Sequence, residues 1–157
     1  MTDLHDAFVR VEREIGLLLR RSRAISARLA RELHPDLDGA AYGLLALLQD
    51  AGPLRASDLV ARLGLDKSTV SRQVASLVDL GLVDREADPA DGRAQVLRTS
   101  EEGASRLASI REVRRARWES DLADWPAEDV ATLAELLARF NRLGEAREDF
   151  SRDAPRG

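Results

Sequence analysis

The sequence contains no cysteine among its 157 residues. It therefore cannot form disulfide bonds, thiolate metal sites or a cysteine-based oxidant sensor. Aromatic residues make up only 4%, and no apolar run approaches the roughly 18 residues of a membrane span. The first residues are charged and lack the apolar centre of a signal peptide. These absences favour a soluble, cytoplasmic protein with no membrane segment.

A large basic excess is also missing. Charged residues make up 33% of the chain, and the formal net charge is -4. Any contact with nucleic acid must therefore come from a local positive patch. The chain is long enough to bury an apolar core as one domain of ordinary size.

The apolar pattern predicts a long first helix from about Leu4 to Leu33. His34-Pro35 ends it, because a residue before proline disfavours the helical conformation. At about 1.5 Å per residue this helix exceeds 40 Å, more than a small domain covers by itself. Its apolar seam therefore indicates contact with other helices or a second subunit, and comprises Phe8, Val11, Ile15, Leu18, Ser22, Ile25 and Leu29.

The rest of the chain predicts a mainly α protein with a small β-hairpin. Helices in "LDGAAYGLLALLQDAG" and "LRASDLVARLGL" are followed by a helix capped by Asp66 and by two short alternating runs, "LVDRE" and "RAQVLR". Further helices begin at Ser100 and Pro126. This order predicts a winged helix-turn-helix flanked by long N- and C-terminal dimerisation helices: an N-terminal dimerisation helix (1–34), the DNA-binding domain (35–99), C-terminal dimerisation helices (100–147) and a frayed tail (148–157).

The helix after Asp66 carries small polar side chains at its start, as a helix in a DNA groove requires. We interpret Arg72 as a reader of guanine and Gln73 as a reader of adenine. Contacts with DNA phosphates are expected from the first residues of this helix, Lys67, Ser68 and Thr69. An ordinary solvated face would be rich in Glu and Lys, but no carboxylate lies between Asp66 and Asp79. The predicted outward face comprises Lys67, Ser68, Thr69, Ser71, Arg72, Gln73 and Ser76.

Three motifs make the chain resemble the MarR family of winged-helix transcriptional regulators: "LGLDKSTVSRQVASLVDLGLVDRE", "DPADGRA" and "SEEG". The resemblance implies a homodimer on a pseudo-palindromic operator in double-stranded DNA. It also implies that Arg93 enters the minor groove, that Asp91 orients it, and that Arg85 is a second arm pairing with Asp91. The family usually has Leu-Thr where this chain has Thr99-Ser100, so we expect a looser strand end.

The acidic turn between the two runs admits a simpler interpretation. Asp, Pro and Gly are preferred in tight turns, so Asp88 and Pro89 are expected to shape the backbone. Asp91 remains open between a turn residue and a support for Arg93. A calcium loop is excluded, because the alternating acidic ligands of an EF-hand are missing.

An input signal is expected from the same resemblance, which implies a small aromatic or phenolic ligand between the dimerisation helices and the DNA-binding lobe. In this chain the junction should lie near Arg23, His34, Tyr42 and Arg111. A zinc site in "HPDLD", at His34, Asp36 and Asp38, is the alternative to ordinary helix capping, which we favour. No cofactor is expected, and no nucleophile pattern indicates an enzyme.

The predicted function is a homodimeric, sequence-specific DNA-binding transcriptional regulator that acts as a repressor and is released by a small aromatic or phenolic ligand. A winged-helix module that binds another protein instead of DNA is the alternative. It is allowed by the charge of residues 55–98, where seven basic residues match seven acidic ones. Against it, the acids cluster at helix ends and in the turn, away from the predicted outward face.

Overall fold

The computed structural model describes residues 3–152, and the side chains of residues 3–143. Its six helices and two strands follow one another as the sequence predicts, which confirms the fold class. The elements are α1 (Leu4–Leu33), α2 (Gly39–Ala51), α3 (Ala56–Leu63), α4 (Lys67–Asp79), β1 (Val83–Asp88), β2 (Asp91–Thr99), α5 (Glu101–Asp121) and α6 (Ala127–Arg152).

Local side chains explain where the helices begin and end. The Asp38 carboxylate accepts a hydrogen bond from the Ala41 amide at the start of α2, so the capping interpretation of "HPDLD" is confirmed for this residue. Gly64 ends α3 with φ 60°, a left-handed conformation that glycine adopts without steric cost. Helix α1 ends at Leu33, before His34-Pro35, as predicted.

The chain divides into two compact units, Met1–Glu112 and Val113–Gly157. In the first, the residues from Leu29 to Ile110 surround one apolar core, and we call this region the lobe. Helix α2 lies at its centre, since Leu44 and Leu45 are 0% exposed. The other large, fully buried side chains come from α2, α3, α4, β1, α5 and the turn after α4: Leu48, Leu59, Val70, Leu77, Leu82, Val83 and Leu107.

The hairpin is longer than predicted. Strands β1 and β2 pair antiparallel from Val83 with Thr99 to Ala87 with Gln95, and the register shifts at Asp88. The backbone of Leu54 also exchanges two hydrogen bonds with Leu97, at 3.1 and 2.8 Å. This bridge fixes the base of the hairpin to the segment before α3.

The strand end at Thr99-Ser100 is not loose, contrary to the expectation. Thr99 pairs with Val83, and the Ser100 amide donates to the Leu82 carbonyl at 3.0 Å. The Ser100 hydroxyl donates to the Gly81 carbonyl at 2.7 Å and accepts from the Gly103 amide at 3.0 Å. Backbone pairing and the Ser100 hydroxyl thus hold the strand end, although the Thr99 hydroxyl oxygen is buried without a hydrogen-bond partner.

The chain leaves most of the apolar seam of α1 uncovered. Phe8, Val11, Leu18 and Ile25 are exposed, whereas Leu29 is buried in the lobe. Helix α6, in the second unit, also exposes apolar side chains: Leu136, Leu137, Phe140 and Leu143. These two helices therefore present apolar surface that the described chain does not bury.

The structure describes only part of the predicted frayed tail. Helix α6 continues to Arg152, so residues 148–152 are helical, and residues 153–157 lie outside the described part of the chain. Glu148 and Arg152 are good helix formers, and helical propensity does not require an apolar stripe. Among the described residues, no helix combines the length and apolar character needed to cross a bilayer.

Candidate nucleic-acid interface

Helix α4 divides into a buried face and an exposed face. Val70, Val74 and Leu77 enter the core of the lobe. Lys67, Ser71 and Arg72 are exposed, and Ser76 is half-buried. From Lys67 to Ser76 the exposed side chains include two cations and no carboxylate, which suits contact with an anionic surface; the exposed carboxylate of Asp79 lies at the far end of the helix.

The first turn of α4 is held by Asp66. Its carboxylate accepts hydrogen bonds from the Ser68 hydroxyl at 2.5 Å, the Thr69 hydroxyl at 2.6 Å and the Thr69 amide at 2.9 Å. These donors, the Ser68 hydroxyl above all, hold the pKa of Asp66 well below its usual range. A hydroxyl has one proton, so Ser68 or Thr69 would leave Asp66 in order to donate to a phosphate. Their phosphate role stays a prediction.

Gln73 is not on the exposed face, contrary to the prediction. Its side chain is 7% exposed, and Oε1 is buried without a hydrogen-bond partner. The reason is helical geometry, because Gln73 follows Val70 by three residues and precedes Leu77 by four. Its polarity suggested base reading, but its angular position places it with the core residues.

The wing, defined as β1, β2 and the turn between them, exposes Arg93 near its tip. The carboxylate of Asp91 accepts a hydrogen bond from the Arg93 backbone amide at 3.1 Å. Asp91 therefore fixes the backbone that carries Arg93. The recorded contact does not involve the guanidinium group.

The predicted pairing of Arg85 with Asp91 is wrong. The antiparallel register sets Arg85 opposite Leu97, whereas Asp91 lies opposite Asp88 at the tip. Two residues of β1, Glu86 and Ala87, lie between Arg85 and Asp88, so Arg85 is exposed at a different level of the hairpin from Asp91. The strand register decides which residue of β1 lies opposite Asp91, and the length of the turn determines that register.

An ion pair between α3 and the wing was missed by the sequence analysis. Asp88 is 8% exposed, and its Oδ2 accepts from Arg55 Nε at 2.6 Å and lies 2.5 Å from a terminal guanidinium nitrogen. Asp88 Oδ1 also accepts from the Ala90 amide at 2.8 Å, as expected of a turn residue. The Ala90 amide and Arg55 lower the pKa of Asp88, and Asp88 raises the pKa of Arg55. The available signal was an arginine at the N-cap position of α3, where Ser, Thr, Asp or Asn is usual.

The four residues of the predicted ligand junction have different surroundings. Tyr42 is buried in the core of the lobe, and Arg23 is exposed on α1. The Arg111 guanidinium binds Asp50 on α2 at 2.7 Å, and His34 Nδ1 accepts from the Asp36 amide at 3.2 Å. No recorded hydrogen bond or ion pair joins any two of these four side chains. Among the side chains that the structure describes, those of residues 3–143, no three His, Asp or Glu residues form a metal-binding cluster.

Comparison with known proteins adds the family context. A sequence profile described as the MarR family matches residues 36–94. The uncharacterized HTH-type transcriptional regulator YxaD of Bacillus subtilis is 32% identical over 132 residues, covering 84% of this chain and 91% of YxaD.

Solved structures share the fold. Wild-type MarR from E. coli in its apo form has 25% identity and a TM-score of 0.59, covering 80% of this chain and 95% of that one. A mutant E. coli MarR complexed with operator DNA has 23% identity and a TM-score of 0.62, covering 88% and 99%. The latter supports the fold alone.

Proposed function

The chain belongs to the MarR family of transcriptional regulators, and on that premise we propose that it is a homodimeric, sequence-specific DNA-binding repressor. One observation supports the proposal most. The exposed face of α4 offers Lys67, Ser71 and Arg72 with no carboxylate among them, although the whole chain is acidic. A local cationic face on the second helix of a helix-turn-helix is the arrangement that enters a major groove.

Within this proposal the two DNA-contacting elements have different tasks. Arg72 reads a guanine through two hydrogen bonds, Lys67 contacts phosphate, and Arg93 enters the minor groove beside the recognition helix. Short polar contacts with the DNA backbone come from four hydroxyl side chains of α4: Ser68, Thr69, Ser71 and Ser76. The carboxylate of Asp91 supports Arg93 by accepting a hydrogen bond from the Arg93 backbone amide. Arg85 contacts DNA independently of Asp91.

The uncovered apolar surfaces of α1 and α6 support a homodimer. Exposed Phe8, Leu18 and Phe140 are large side chains whose burial against a second copy is favourable. Two copies would present two α4 helices to half-sites about one helical turn, or roughly 34 Å, apart. A pseudo-palindromic operator follows from the two-fold symmetry, and a cytoplasmic location follows from the target.

Release by a small aromatic or phenolic ligand completes the proposal. The candidate residues remain Arg23, His34, Tyr42 and Arg111, of which buried Tyr42 would form part of the wall. Aromatic acids that bind should raise the melting temperature and weaken operator binding. If no compound in such a screen changes either quantity, the ligand part of the proposal fails.

The direct test is fluorescence anisotropy with the DNA upstream of the protein's own gene and with random DNA of equal length. Arg72→Ala should weaken specific binding by about 1–3 kcal/mol and leave random binding less affected. Arg139→Ala, on α6, removes the same charge and serves as the control. If the wild-type protein binds neither DNA at low salt, the protein-interaction alternative replaces this proposal.

A further inference from the structure

The start of α3 uses its N-cap residue in an unusual way. An N-cap side chain normally accepts a hydrogen bond from an amide of the first turn, and arginine has no acceptor for this. Arg55 makes no such cap, and its amide donates to the Asp58 carboxylate at 3.2 Å instead. Its guanidinium extends to Asp88, 33 residues further along the chain.

The far end of this contact lies where the hairpin loses its regular pairing. Ala87 pairs with Gln95, but the next pair joins Asp88 with Asp91. Residues 92–94, which include Arg93, fall within this irregularity. Strand pairing alone therefore fixes the tip less firmly than the base, since the ladder bonds there are interrupted.

Two neighbouring residues thus hold the two ends of the same hairpin. Leu54 binds the base through two backbone hydrogen bonds with Leu97. Arg55 binds the tip through Asp88, which also accepts from the Ala90 amide. A cavity of about 440 Å³ lies beside this contact, and Pro53, Glu86 and Val96 contribute to its lining. The Arg55–Asp88 ion pair is thus a side-chain contact between the start of α3 and the wing tip, at the edge of this cavity.

We propose that Arg55 and Asp88 are positioning residues that hold the wing tip in place before DNA arrives. They act through Arg93 and need not contact DNA themselves. This inference rests on the proposed function, because it concerns how the wing meets a groove. Holding the tip beforehand reduces the conformational entropy lost when Arg93 binds. An ordinary surface ion pair contributes little; here the Arg55 side chain is 42% exposed, but the Asp88 side chain is only 9% exposed and two guanidinium nitrogens reach one of its oxygens.

The test compares two carboxylates of the same strand. Asp88→Ala and Glu86→Ala each remove one negative charge from β1, but Glu86 pairs within the hairpin, with Arg98 at 3.3 Å. Charge alone would make both variants bind DNA more tightly. The positioning role predicts that Asp88→Ala binds the operator about 3- to 10-fold more weakly, while Glu86→Ala binds equally or more tightly. Equal strengthening by both substitutions would overturn the proposal.

A double variant distinguishes two reasons why Arg55→Ala could weaken DNA binding: the loss of a positive charge and the loss of the contact that positions the wing tip. Arg55→Ala removes a cation and weakens binding on either account. Once the pair is broken, removing its second member should cost nothing more, so Arg55→Ala/Asp88→Ala should bind no more weakly than Arg55→Ala. Additive weakening of the operator affinity would contradict the paired role.

Hydrogen exchange without DNA makes the inference independent of the proposed function. Asp88→Ala should accelerate exchange of the amides of residues 92–94 more than Glu86→Ala does, at equal melting temperature. If the wild-type protein binds no DNA but this difference is present, the function fails and the positioning holds. If the two variants exchange alike, the positioning fails. Should Asp88→Ala not fold, Asp88→Asn with Glu86→Gln as control replaces the pair, because Asn keeps an acceptor for Ala90.

Discussion

The part of α1 before Leu29 and the lobe contain the same kinds of apolar side chain, but the chain buries them only in the lobe. Leu44 is 0% exposed, whereas Leu18 is 54% exposed. The two leucines differ in surroundings and not in chemistry. In the lobe, several helices and the hairpin pack together and bury their apolar side chains. The part of α1 before Leu29 extends beyond these elements. Apolar content therefore specifies a core in one region and an uncovered surface in the other.

The largest effect is expected from the centre of the lobe. Leu44→Ala removes a fully buried side chain and should lower the free energy of unfolding by about 2–5 kcal/mol. Chemical denaturation, followed by circular dichroism, measures the change. A loss below 1 kcal/mol would mean that α2 is not the centre of the core, and the contrast with α1 would disappear.

A smaller loss is expected at the junction of α5 with the lobe. A Cβ on Gly103 would lie 2.3 Å from the Leu82 carbonyl oxygen, which is backbone and cannot rotate away. Gly103→Ala should therefore cost about 1–3 kcal/mol.

Gly43 provides the matched control for this glycine, because a Cβ there meets nothing within 4 Å. Gly43→Ala should stabilise helix α2 by about 0.5–1 kcal/mol. Thermal unfolding of the two variants should give shifts of opposite sign. Equal shifts would show that close approach to Leu82 does not constrain α5.

Gln73 offers a gain in stability within the lobe. Its buried, unpaired Oε1 costs free energy, so Gln73→Met should raise the free energy of unfolding by about 1 kcal/mol. Operator affinity should not change, because the side chain faces the core. Gln49→Met, at an exposed position of α2, should change stability by less than about 0.5 kcal/mol. Loss of sequence preference in Gln73→Met would restore the base-reading interpretation.

The smallest effect on the single chain is expected in α1. Leu18→Gln should change the unfolding free energy of the monomer by less than about 0.5 kcal/mol, because Leu18 is exposed. In the proposed dimer the same substitution should raise the dissociation constant, which sedimentation at several concentrations measures. Glu12→Gln is the control on the same helix. A large, concentration-independent loss of stability would show that the chain itself covers this seam.

The sequence predicted the elements better than it predicted side-chain partners. The apolar spacing of α1 and α4, the prolines and Asp66 act locally, so the order of elements and several helix ends followed from short stretches. The polarity of Gln73 favours the exposed face, but its position in the helical repeat places it with the core residues. Arg55 and Asp88 are 33 residues apart, and only the folded hairpin brings them together. Partners that depend on tertiary structure leave no periodic signal in the chain.

The contacts of Ser100 carry a consequence for folding. This residue joins the end of β2 to the turn after α4 and caps the first turn of α5. Opening the hairpin base would break the hydroxyl bond to Gly81 and release the Gly103 amide together. The end of α4, the hairpin base and the start of α5 should therefore open as one cooperative unit, with similar protection of their amides. The contacts of one serine are thus expected to couple the unfolding of α4, the hairpin base and α5.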